Sequence, residues 1–221
     1  MANRSTIAAA VLAGSVALAL VSLRSSADPI FHPAAIVSAG SIGVPFNSTA
    51  VGMVELRVVV SKSGRVQDVE VLHDLASVTE KSEAAVRSWQ FSPAMMGADA
   101  VASHVTVAIF FCPYVGPTQL TLPGGGGGSG PDVPVEITSA QFPVDVNGRR
   151  TGGTVVLQVT VSPDGKPGLT KVVHGFEPMN DHSMAAVKNW QFAPASLQGQ
   201  NIRSNIVIAF VFRPPTVATP Y

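Results

Sequence analysis

Residues 33–113 and 134–214 are two copies of one unit: a shift of 101 positions lays the first on the second without a gap, with 26 of the 81 aligned positions identical. Agreement on that scale marks a duplication, so the fold must be one that a unit of this length can complete and then repeat. The densest match sets Ala84, Ala85, Val86, Trp89, Gln90, Phe91, Pro93 and Ala94 against Ala185, Ala186, Val187, Trp190, Gln191, Phe192, Pro194 and Ala195. Both copies therefore hold W-Q-F-x-P-A. Between them, residues 114–133 contain Gly124 to Gly128, then Ser129, Gly130 and Pro131. Such a composition buries no core and reads as a flexible linker, its ends about 25 Å apart.

Hydrophobic residues make up 46% of the 221-residue chain, enough for packed cores. The 14 Lys and Arg balance 14 Asp and Glu, which leaves no basic excess and argues against a nucleic-acid partner. One cysteine, Cys112, excludes an intrachain disulfide and any multi-cysteine metal or cluster site. At the N-terminus, Arg4 precedes an uncharged run from Ser5 to Leu23, followed by Arg24 and the small residues Ser25, Ser26 and Ala27. Residues 1–27 have the order of a cleavable export signal, and the apolar residues 7–23 also suit a short membrane anchor. Either way residues 28–221 are expected beyond the cytoplasmic membrane, and that membrane is a partner only if residues 1–27 are retained.

Within each copy the pattern predicts a β-hairpin, a helix and a third strand. Val54, Leu56, Val58 and Val60 alternate with Glu55, Arg57 and Val59, and Val155, Leu157, Val159 and Val161 repeat the pattern, as in strands with one buried face. Gly64 and Gly165 end turns from which second strands return over residues 66–72 and 169–174. Ser77 and Glu80 are spaced as a capping box for a helix whose buried face is expected to hold Val78, Ala85 and, on its last turn, Trp89. Third strands are expected over residues 101–111 and 202–212, with Val105, Val107, Ile109 and Phe111, and Ile206, Ile208, Phe210 and Phe212, inward. The fold class is thus α+β: two small domains, each a three-stranded antiparallel sheet in the order 2-1-3 packed on one helix. Strand three becomes an exposed edge. Its outward face is unusually apolar, with Ala108 and Phe110 in one copy and Val207, Ala209 and Val211 in the other, so it invites a partner strand.

The unit G-x-V-x-L-x-V-x-V-x-x-x-G, followed by A-A-V-x-x-W-x-F-x-P-A and an alternating strand ending in F-x-P, resembles the C-terminal domain of TonB energy transducers. The resemblance implies a periplasmic domain that adds a short peptide of an outer-membrane receptor, or of another envelope protein, to its last strand by β-augmentation. Carried over, the binding edges are Ser103, Val105, Val107, Ile109 and Phe110, and Ser204, Ile206, Ile208, Phe210 and Val211. Gly64, Trp89, Phe91, Pro93, Gly165, Trp190, Phe192 and Pro194 match the family's structural signature. The resemblance stops short elsewhere. Residues 7–23 hold no histidine to couple to a proton-driven motor, and no proline-rich spacer precedes Pro33. A membrane-anchored energy transducer is therefore an alternative reading. A structural module is another, in which the copies pair their own third strands into one six-stranded sheet, or pair them in a homodimer.

Trp89 and Trp190 read as core anchors with hydrogen-bonded indole nitrogens, and Phe91, Pro93, Phe192 and Pro194 as packing and helix-stop residues. His73 and His174 occupy equivalent positions but lack a second ligand at usable spacing, so backbone-satisfied strand ends are expected and no metal site. Glu55, Arg57, Gln158 and Thr160 read as a solvated face. No nucleophile elbow or phosphate loop is present, so no enzyme and no cofactor is expected.

Overall fold

The computed structural model describes residues 31–45, 48–112, 122, 132–143 and 152–213; residues 1–27, expected to be a signal or anchor, and nearly all of the expected linker lie outside these. The first repeat runs β1 (Phe31–His32), β2 (Ala35–Ser38), β3 (Gly52–Val60), β4 (Val66–His73), α1 (Thr79–Arg87), β5 (Gln90–Ser92), β6 (Ala94–Met96), β7 (Asp99–Val101) and β8 (Ser103–Cys112). The second runs β9 (Asp132–Val133), β10 (Glu136–Ser139), β11 (Gly153–Val161), β12 (Pro167–His174), α2 (Met179–Val187), β13 (Gln191–Ala193), β14 (Ala195–Leu197), β15 (Gln200–Ile202) and β16 (Ser204–Phe212).

Turn chemistry and the W-Q-F run are one device. Gly64 (φ 78°) and Gly165 (φ 79°) adopt the left-handed conformation that favours glycine. A Cβ at either would also collide with the carbonyl oxygen of Phe91 or Phe192. The Phe91 amide donates to the Gly64 carbonyl at 3.0 Å, so the hairpin turn is clamped to the chain leaving the helix. Trp89 and Trp190 are 3% exposed, and the Trp190 Nε1–H donates to the Gln141 carbonyl at 3.1 Å. Trp89 Nε1 is buried without a hydrogen bond among the described residues, so the hydrogen-bonded indole expected in both copies is found in one.

Several local expectations are corrected. The third strands are shorter, because Gly97 (φ 62°) and Gly199 (φ 78°) turn β6 into β7 and β14 into β15, so that Val101 and Ile202 belong to small hairpins. Strand two reaches one residue further in the first copy and starts at Pro167 in the second. No capping box forms. Ser77 is left-handed (φ 75°), which turns its hydroxyl to Ser48 Oγ at 2.9 Å, and Val78 takes the N-cap position with no side-chain cap bond. The Leu75 amide instead donates to Thr79 Oγ1 at 2.9 Å. Trp89 lies just past the helix, its amide donating to the Val86 carbonyl at 3.0 Å.

One six-stranded sheet organises the molecule, in the order β12-β11-β16-β8-β3-β4. Strands β3 and β8, and β11 and β16, pair antiparallel over nine residue pairs each. The third strands, expected as exposed edges, pair with each other, parallel, over six pairs from Val107 with Val207 to Cys112 with Phe212. Each pair is 100 residues apart, one short of the 101-residue repeat. In a strand, one residue of offset exchanges the faces. The inward residues of one repeat therefore share a side with the outward residues of the other, and α1 and α2 pack on opposite faces. The relation is that of a two-fold axis running along the strands.

This parity explains the apolar outward face. Val207, Ala209 and Val211 complete the core under α1 with Val54, Leu56, Val107 and Ile109. Ala108 and Phe110 complete the core under α2 with Leu157, Ile208, Phe210 and Trp190. Each core is built from both repeats.

Candidate partner-binding edges

The residues expected to receive a partner strand are brought together in the middle of the sheet. Val107, Ile109, Phe110, Ile206, Ile208 and Phe210 are completely buried, Val105 and Val211 nearly so, and Ser103 and Ser204 stand at the strand starts. On one side each strand is held by its own hairpin, and on the other the two strands hold each other. What they can do chemically is pair: both inner edges accept a neighbouring strand's backbone. The outer edges of the sheet, β4 and β12, are guarded instead, the first by Asp68 and Glu70, the second by Pro167 and Lys171.

An arm at the start of each repeat closes the arrangement. The first arm (residues 31–45) pairs through β2 with β5 and crosses the outward face of the second repeat. There the Ile36 amide donates to Gln158 Oε1 at 2.9 Å, the Ile42 amide to Thr154 Oγ1 at 3.2 Å, and Asn205 Nδ2 to the Ala34 carbonyl at 2.9 Å. Its Ser41 Oγ is 3.1 Å from His174 Nε2, so this histidine is held by a side chain of the other repeat rather than by backbone. The second arm (residues 132–143) crosses the first repeat's outward face. Val135, Ile137 and Phe142 pack on Met53, Ala108 and Phe110, and Thr106 Oγ1 donates to the Val135 carbonyl at 2.7 Å.

The four residues read as a solvated face are thus largely engaged. Gln158 holds the arm, and Thr160 Oγ1 donates to Asn205 Oδ1 at 3.0 Å. Arg57 pairs with Glu70 at 3.0 Å. Glu55 is 9% exposed. Sequence reasoning missed Thr106, Thr154 and Asn205 as anchors. Their one signal was a polar residue at an outward position whose next outward neighbour along the strand, Ala108, Val156 or Val207, is apolar.

Glu55 carries an electrostatic cost. Burial pushes its carboxyl pKa up, the Glu136 carboxylate on β10 of the other repeat pushes it further, and Arg57 offsets part of this. The folded state therefore binds this proton more tightly than the unfolded chain, and the penalty on the charged form grows as pH rises from the ordinary carboxylate range through the raised value. Glu55→Gln is expected to raise Tm at pH 7 by on the order of a few degrees, the advantage shrinking toward zero as pH falls to about 4.5. Paired thermal melts of the two proteins across that range check it. An advantage independent of pH would show that charge at Glu55 is not the cause.

The family model described as Gram-negative bacterial TonB protein C-terminal matches the chain twice, over residues 48–112 and 138–214. No curated protein matches the chain, and no solved structure does.

Proposed function

The chain belongs to the TonB C-terminal family, two copies in tandem, and from this we propose a periplasmic interaction protein that binds an extended segment of an outer-membrane receptor or other envelope protein by β-augmentation. In this reading the binding edges are residues 103–110 and 204–211, and each caps the other until a partner strand takes its place. The observation that carries the reading is the β8–β16 ladder itself: these edges already accept a strand, over six pairs, in a parallel register that is weaker per residue than the antiparallel ladders flanking it. An edge of this composition left open would aggregate, and mutual capping prevents that.

The same ladder, together with the crossing arms, favours a second reading in which the module is structural and the edges never open. Titrating the full chain with a labelled strand-forming segment of a receptor from the native host separates the two. The binding reading expects saturable binding accompanied by lost amide protection at residues 107–112 or 207–212; no binding, or binding that leaves both segments protected, supports the structural one. A membrane-anchored transducer would rest on residues 7–23, which lie outside the described residues; among those described, no helix is long and apolar enough to cross a membrane.

A further inference from the structure

The two places where an arm crosses the other repeat are equivalent by the duplication, and they differ in charge. Under the first arm, Val156 of β11 is completely buried and is flanked in the sheet by Ala209 and His174. The same position under the second arm is Glu55 of β3, flanked by Ala108 and His73 and 9% exposed. The arms differ at matching positions too: Ala35 of β2, opposite Ser92, corresponds to Glu136 of β10, opposite Ala193. One crossing is apolar at both positions. The other carries a carboxylate at both, one from each repeat.

The charged crossing is poorly compensated. No hydrogen bond reaches the Glu55 carboxylate among the described residues. Arg57, two residues along β3, offsets part of the charge, but its guanidinium is bound to Glu70 of β4 at 3.0 Å. The other titratable groups in these rows are Asp68 and His73 on β4 and His104 on β8, with Asp132 at the start of the arm; β13, which pairs with the arm, has none. A carboxylate taken out of water without a partner is costly when charged and far less so when protonated. Burial first, and the Glu136 charge second, therefore raise the Glu55 carboxyl. Lifting the arm returns water to both groups, so protonation favours the docked arm.

We propose that the second arm is an acid-tightened latch, docked loosely on the first repeat while Glu55 and Glu136 are both charged and firmly once one of them takes up a proton. Tightening begins as pH falls through the raised value and is complete near the ordinary carboxylate range, about 4.5. The first arm lacks both carboxylates and is the internal reference. The latch covers Thr106, Ala108 and Phe110 of β8. Its loosening toward neutral pH eases access to that strand for a partner, a consequence that rests on the β-augmentation reading above.

Amide exchange in the full chain, corrected for its intrinsic pH dependence, reads the latch as the protection of residues 136–139 relative to residues 35–38. This ratio is expected to rise by at least about threefold between about pH 7.5 and pH 4.5. In Glu55→Gln it should hold its acid value throughout, Glu136→Gln should cut the rise, and His73→Gln should leave it intact. A ratio that does not change with pH, a rise that persists in Glu55→Gln or is undiminished in Glu136→Gln, or one abolished by His73→Gln would each overturn the latch. Capture of the receptor segment at both pH values keeps the two proposals apart. If the arm tightens and no segment binds at either pH, only β-augmentation fails; if segments bind and the arm does not tighten, only the latch fails. Capture equally strong at both values, with the arm tightening, would refute the coupling of the latch to the strand edge.

Discussion

Replacing Phe110 with alanine is expected to destabilise the protein by about 3–5 kcal/mol, a large part of the stability of a small domain. Phe110 belongs to the first repeat and points away from that repeat's own helix, yet it is completely buried. Its ring lies 4.9 Å from Trp190 and 5.6 Å from Phe210, both in the second repeat's core, and 6.3 Å from Phe142 on the second arm. Thermal melts should show Tm lowered by about 10 °C, and Trp190 fluorescence should shift to the red at lower denaturant. Two repeats folding separately would leave Phe110 on an outward surface, where truncation is neutral or mildly favourable. A neutral Phe110→Ala would therefore count against a shared core.

The second large effect is a covalent lock. Cys112 and Phe212 are directly paired in the β8–β16 ladder. Neighbouring strands lie about 4.8 Å apart, within the Cα separation a disulfide spans. Phe212→Cys under oxidising conditions should form an intrachain bond with Cys112, visible as a mobility shift reversed by reductant. If partner segments bind by displacing one third strand from the other, the oxidised variant should lose that binding by at least about a hundredfold, while the reduced variant retains it. The reduced form is the control for the lost phenylalanine. Equal binding by both forms would place the partner elsewhere, on β4, β12 or the arms. Failure to cross-link in a folded variant would contradict the register.

How far the fold could be read in advance follows from where the chain obeys a single period. Strands β3 and β11 bury one face more completely than the other, and Gly64 and Gly165 mark their turns by a backbone conformation few other residues adopt. These elements and the W-Q-F-x-P-A run were legible, and they carried the family. The final strand was not legible in the same way. In S-H-V-T-V-A-I-F-F-C every residue from Val105 onward is buried, so alternation no longer reports which face points where. The apolar outward residues did signal a covered edge. What they could not specify was the parity of the pairing, and one residue of offset decides whether the helices share a face or take opposite faces.

The arms were missed for a related reason. Residues 33–45 and 134–143 bury isolated apolar residues, such as Ile36, Ile42, Val135 and Phe142, without a repeating interval. Their placement depends on hydrogen bonds to Gln158, Thr154, Thr106 and Asn205, side chains that look like ordinary surface in a strand-by-strand reading. Leu122, in the glycine-rich linker, also packs against the second core, a contact its composition does not suggest.

The central claim is that β8 and β16 are interior strands, and amide hydrogen exchange on the intact free protein tests it most directly. Interior amides exchange only through large openings, whereas edge amides exchange through local ones. Residues 107–112 and 207–212 should be protected at least as strongly as β3 and β11, and more strongly than the outer strands β4 and β12. Rapid exchange of residues 107–112 and 207–212, at rates matching β4 and β12, would mean open edges and contradict the shared sheet.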